Sequence, residues 1–170
     1  MESGEKMFVQ LQERYQDRPD VRCVCAPVTS KNIEQLLREN NVPRDFDLLS
    51  IDIDSNDYWV WKAIVNWEPR VVVIEFNAFH VPPKKWVLKE NLQYSWNGTT
   101  YFGASLASLA ALGEQKGYTL VCTDSHGVNA CFVRTDCMPP GKFLDPVLQY
   151  HYTPFGYCPP PTGDGPFEEI

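Results

Sequence analysis

The sequence predicts a mixed α/β domain, built on a mostly parallel sheet that closes with an antiparallel hairpin. Three observations carry that prediction. Strand-like and helical segments alternate along residues 5–117, the order that a parallel sheet with right-handed crossovers requires. Two runs, "FDLLSIDID" and "PRVVVIEFNAF", contain near-continuous apolar stretches, as strands covered on both faces do. Two more, "YTLVCTD" and "NACFVRTD", are separated only by "SHGVN", which has the length and composition of a hairpin loop.

Each element has its own local reason. "EKMFVQLQERYQ" places Phe8, Leu11 and Tyr15 at helical spacing. "PDVRCVCAPV" is bounded by proline and alternates Val21, Cys23 and Cys25 onto one face, so a strand is expected. "TSKNIEQLLRENNVP" starts with a capping candidate, Thr29 or Ser30, repeats Ile33, Leu36 and Leu37, and stops at Asn41 and Pro43. "NDYWVWKAIVNW" reads as a helix between the two apolar strands. "GASLASLAALGEQKGY" reads as another, with Leu106, Leu109, Ala110 and Leu112 on its stripe and Gly117 at its end. Residues 1–138 make up this domain. Residues 139–170 form a tail in which eight of the fourteen prolines mix with Tyr150, Tyr152, Phe155 and Tyr157.

The totals narrow the function classes. At 170 residues, 44% hydrophobic and 22% charged, the chain can bury one core. A net charge of -7 argues against nucleic acid and anionic membranes as partners. No apolar run reaches the roughly 20 residues of a membrane helix, and the N-terminus lacks the apolar core of a signal peptide, so a cytoplasmic location is expected. The six cysteines include no CxxC pair, and His80, His126 and His151 are far apart. Reduced, buried thiols are therefore expected rather than a zinc site, although Cys122 and Cys131 could face one another across the hairpin.

The chemistry concentrates in "LLSIDIDSNDYWVW". Ligands of open α/β sheets bind at the carboxyl ends of strands. The strand period places Ser50, Asp52 and Asp54 on one face, and Val73, Glu75 and Asn77 on one face of the next strand. If those strands are neighbours, Asp52, Asp54, Asn56, Asp57, Glu75 and Asn77 meet at one rim, where close acids raise one another's pKa or attract a divalent cation. Asp54 or Asn56 could instead cap the following helix, a role not open to Asp52 and Glu75. The spacing of Asp52, Asp54 and Asn56 begins like a calcium loop, but that loop needs Gly and Glu where Asp57 and Ala63 stand. All five tryptophans lie between Trp59 and Trp96. Trp61 and Trp67 suit core packing, whereas Tyr58 and Trp59, directly after the aspartates, are candidates for a substrate pocket.

Three blocks, "FDLLSIDIDSNDYWVWKAI", "PRVVVIEFNA" and "YFGASLASLAALGEQKGYTLV…GVNACFVRTD", together resemble methyltransferase-like proteins related to the FkbM-type methyltransferases. The resemblance spans roughly residues 20–137. It implies the class I, Rossmann-like sheet, whose last two strands form a hairpin, and S-adenosylmethionine as methyl donor. It places Asp52, Asp54 and Asp57 beside the transferred group, as candidates to orient or deprotonate a hydroxyl of a small-molecule acceptor. Glu75, Asn77 and Asn56 then border the donor. Ser55 stands where similar sequences carry Gly. The glycine-rich donor loop and the ribose-holding acid of that class have no counterpart before residue 47. The expectation is a partial sheet without its own donor-binding half. The edge of "FDLLSIDID" is then covered by "VRCVCAPV", by a protein partner, or by oligomerisation. A non-catalytic, methyltransferase-like subunit is the alternative.

Overall fold

In the computed structural model, which describes residues 1–139 and 167–168, the alternating pattern becomes four helices around a mixed sheet. The helices are α1 (Glu5–Tyr15), α2 (Ile33–Glu39), α3 (Asp57–Ala63) and α4 (Leu106–Gln115). The strands are β1 (Leu48–Ile51), β2 (Val71–Glu75), β3 (Val87–Leu88), β4 (Tyr118–Thr123), β5 (Asn129–Arg134) and β6 (Phe167–Glu168). Apart from Pro139 and the two residues of β6, the proline-rich tail lies outside the described residues.

The main sheet runs β1-β2-β5-β4, with β1 parallel to β2 and both pairings of β5 antiparallel. It is therefore mixed, with one parallel pair, rather than mostly parallel. The reason lies in "VRCVCAPV", which does not become a strand. Its only ladder contact among the described residues is an isolated bridge between Cys25 and Glu2, and Pro27 follows directly after Ala26. With that segment outside the sheet, β1 is an edge strand among the described residues, and Leu48 on it is 56% exposed. The closing hairpin forms as the sequence predicts, and β5 inserts between β2 and β4.

One face of this sheet carries the core. Val72 and Ile74 of β2, Ala130 and Phe132 of β5, and Leu120 of β4 are buried, while their alternate neighbours are not. Trp61 of α3 packs on Phe132 with ring centroids 4.8 Å apart and edge-on to Tyr118 at 5.8 Å. α4 begins on Ser105, whose hydroxyl accepts from the Ser108 N–H at 3.2 Å, and buries Leu106, Leu109 and Leu112. It ends before Gly117, whose φ of +79° is the left-handed conformation that stops helices. α2 starts from Asn32 rather than from Thr29 or Ser30, and the Asn32 side chain turns back to accept from the Thr29 N–H. Asn41, at φ 55°, ends it as expected.

Gly113 of α4 faces the Trp61–Phe132 pair, and a Cβ there would lie 2.8 Å from the Phe132 ring and 3.3 Å from Trp61. Both neighbours are fully packed, so Gly113→Ala is expected to destabilise the fold by about 1–3 kcal/mol despite the better helix propensity of alanine. A lower urea midpoint with an unchanged slope would register it.

Candidate functional site

The parallel pairing of β1 with β2 sets Ser50 beside Val73 and Ile51 beside Ile74, so both strands deliver their carboxyl ends to one rim. Asp52 follows β1 directly, and Glu75 is the last residue of β2. Carboxylate oxygens of Asp52, Asp54 and Glu75 all lie within 4.8 Å of one another. Asp52 and Asp54 are exposed, Glu75 is half-buried, and its Oε2 is buried with no hydrogen-bond partner among the described residues.

Such crowding has an electrostatic result. Burial, reinforced by the charges of Asp57, Asp52 and Asp54, pushes the Glu75 carboxyl up to about 8. Burial and Asp54 raise Asp52 as well. Glu75 therefore favours its protonated form at neutral pH. The same three oxygens could hold a divalent cation, whose charge would reverse that preference.

Asp57 is the keystone of the loop that presents these acids. It is 1% exposed, and its two oxygens accept from the Ile53 N–H at 2.9 Å and the Ser55 N–H at 3.1 Å. Burial lifts its carboxyl to about 6 against the pull of those bonds. The loop turns at Asp54, whose φ of 63° is left-handed, a conformation aspartate tolerates better than most residues. Ser55 therefore needs no glycine, because the demanding position is the one before it.

The remaining predicted site residues also make structural contacts. Asn56 does not cap α3 with its side chain; its amide clips the backbone of Asn91, donating to the carbonyl at 3.0 Å and accepting from the N–H at 3.2 Å. Asn77 is fully buried and binds the carbonyls of Thr100 and Phe102 at 2.9 and 2.8 Å, while its oxygen accepts from the Phe79 N–H. It fastens the long 76–105 loop and does not present its side chain at the rim. Tyr58, 1% exposed, belongs to the core rather than to a pocket wall. Trp59 is half-buried, donates to the Leu88 carbonyl at 2.8 Å and lies under Lys62.

A cavity of about 290 Å³ opens beside the rim. Asp52, Asp54 and Asn56 line it, together with Glu2, Thr29 and Tyr94. That volume is just under the roughly 300–1,000 Å³ typical of small-ligand sites. Sequence reasoning missed Glu2 and Thr29 as wall residues. Both stand in irregular segments, where no periodicity marks the side that faces inward. Among the described residues, no helix is long and apolar enough to cross a membrane.

No family model, no curated protein and no solved structure matches this chain.

Proposed function

We propose that this chain is a methyltransferase-like domain in which Asp52, Asp54 and Glu75 form the acceptor side of an S-adenosylmethionine-dependent O-methyl transfer site. The observation that carries this reading is the convergence of the three carboxylates at the carboxyl ends of the parallel pair, beside a cavity. It is where the resemblance of the sequence blocks puts donor and acceptor. The parallel pair closed by an antiparallel hairpin supports the same reading.

The donor supplies a methyl group from a positively charged sulfonium, and an acidic rim suits that charge. A hydroxyl acceptor must lose its proton as its oxygen is methylated, and a carboxylate in hydrogen-bond reach can take it. Glu75 has a proton affinity matched to neutral pH, and Asp52, which lines the cavity beside it, passes the hydroxyl's proton to its carboxylate. The exposed Asp54 orients the hydroxyl, and Asp57 acts through the loop as a positioning residue. Nothing in the described residues replaces the glycine-rich cradle, so the donor's contacts shrink to the cavity and binding is weak.

A second reading, a non-catalytic binding or structural subunit, is favoured by the open edge of β1. An apolar groove of about 220 Å³ runs along it, lined by Ile33 and Leu37 of α2, Leu49 and Ile51 of β1, and Val60 of α3. A strand from another chain could add there.

Calorimetric titration with S-adenosylmethionine and S-adenosylhomocysteine, with and without magnesium, separates the two. The enzyme reading expects S-adenosylmethionine to bind at about 100 μM, near -5.5 kcal/mol. The homocysteine product should bind more weakly because it lacks the sulfonium charge. No heat with either ligand in either buffer rules out catalysis by this chain alone and leaves the subunit reading.

A further inference from the structure

Outside the rim, the clearest unassigned chemistry is on the hairpin. Cys122 of β4 and Cys131 of β5 are direct cross-strand partners. Simple alternation would not bring them together. Tyr118 and Leu120 point into the core, and a regular strand would send Cys122 inward after them. The register shifts between Leu120 and Cys122, and the extra residue of this bulge, Val121, turns Cys122 outward. Cys131 already lies on that outer face, between the buried Ala130 and Phe132. Cys122 is exposed, Cys131 is half-buried, and both are free thiols.

The geometry points to a cross-strand dithiol that low-molecular-weight disulfides oxidise to a Cys122–Cys131 disulfide. Facing residues of an antiparallel pair have Cα atoms roughly 4.5–5.5 Å apart. A disulfide accepts about 4.4–6.8 Å, a range that contains this ladder spacing. The exposed Cys122 reacts first. Its thiolate attacks the reagent's S–S bond, one reagent thiolate leaves, and a mixed disulfide remains on Cys122. The Cys131 thiolate then attacks Cys122 Sγ and expels the second reagent thiolate. Two protein thiols are oxidised, one disulfide is reduced to two thiols, and those thiols take up the two protons. Burial, then the neighbouring Cys122, holds the Cys131 thiol up at about 11, which fits it for the second step rather than the first. The product ties β4, an edge of the main sheet among the described residues, to its neighbour.

The test uses the full chain with oxidised glutathione, followed by alkylation and peptide mapping. Expected is a cross-linked peptide pair containing Cys122 and Cys131, with no glutathione retained on either. Cys131→Ser should trap glutathione on Cys122, whereas Cys122→Ser should leave Cys131 alkylatable. Two results would overturn the proposal: wild-type chain that keeps glutathione on Cys122, or both thiols still alkylatable once the exposed Cys25 and Cys137 have been modified. Serine is close to cysteine in size, and circular dichroism of each variant confirms that the hairpin is retained.

Discussion

Asp57→Ala is expected to destabilise the domain by about 3–4 kcal/mol, the largest single effect outside the apolar core. The buried carboxylate accepts from two backbone N–H groups, of Ile53 and Ser55, and each hydrogen bond to a charged group is worth about 1.5–3 kcal/mol. Alanine leaves both donors without their acceptor. It also releases the left-handed turn at Asp54, so the rim acids lose their common orientation. Asp57→Asn should cost about half as much, because its one amide oxygen can serve one N–H while its NH₂ group confronts the other. Denaturant melts of the two variants at pH 7 read this difference directly. Equal, small losses would mean that the loop holds its shape without Asp57.

Glu75→Gln is expected to do the opposite and stabilise the chain in alkali. The folded-state carboxyl lies near 8 against an ordinary 4.5, so the proton is bound more tightly in the folded state than in the unfolded one. The stability tied to that proton is fully present below about 4.5 and is lost as pH rises through about 8. At pH 9 the wild-type chain must hold a charged carboxylate beside Asp52, Asp54 and Asp57, whereas glutamine holds none. Each pKa unit is worth about 1.4 kcal/mol, and partial solvation of the rim reduces the whole shift to roughly 2 kcal/mol. That corresponds to a rise of about 4–8 °C in Tm at pH 9, with little change at pH 4. Thermal melts across this range provide the check. Where a divalent cation binds the rim, its addition at pH 9 should stabilise the wild-type chain and leave Glu75→Gln unmoved.

Much of the main sheet was legible because its signals are local. The Val71–Ile74 run, the Leu106/Leu109/Leu112 stripe and the short "SHGVN" loop each mark an element without reference to distant residues. The rim was legible for the same reason, since strand period and parallel order together bring Asp52 and Glu75 to one end. Long-range pairing was not. "VRCVCAPV" has the alternation of a strand but finds no neighbour in the sheet. Val87 and Leu88 form β3 by pairing with β6, roughly 80 residues later in the chain, and Val87 also bridges Ala104. Asn56 and Asn77 have the polarity of site residues, yet their amides fasten Asn91, Thr100 and Phe102 in a loop that carries no periodicity. Tyr58 could have been placed, because it and Trp61 are three apart on one helix and so share the core face. The bulge that turns Cys122 outward leaves no trace in the alternation of Tyr118, Leu120 and Cys122.

The most direct test of the coupled rim is a pH titration of the Glu75 side-chain carboxyl by carbon-13 NMR, in the wild-type chain and in Asp52→Asn and Asp54→Asn. A wild-type midpoint near 8 that falls in both variants is the expected result. A midpoint near the ordinary 4.5, unmoved by either substitution, would contradict the coupling of these acids and with it the site built on them.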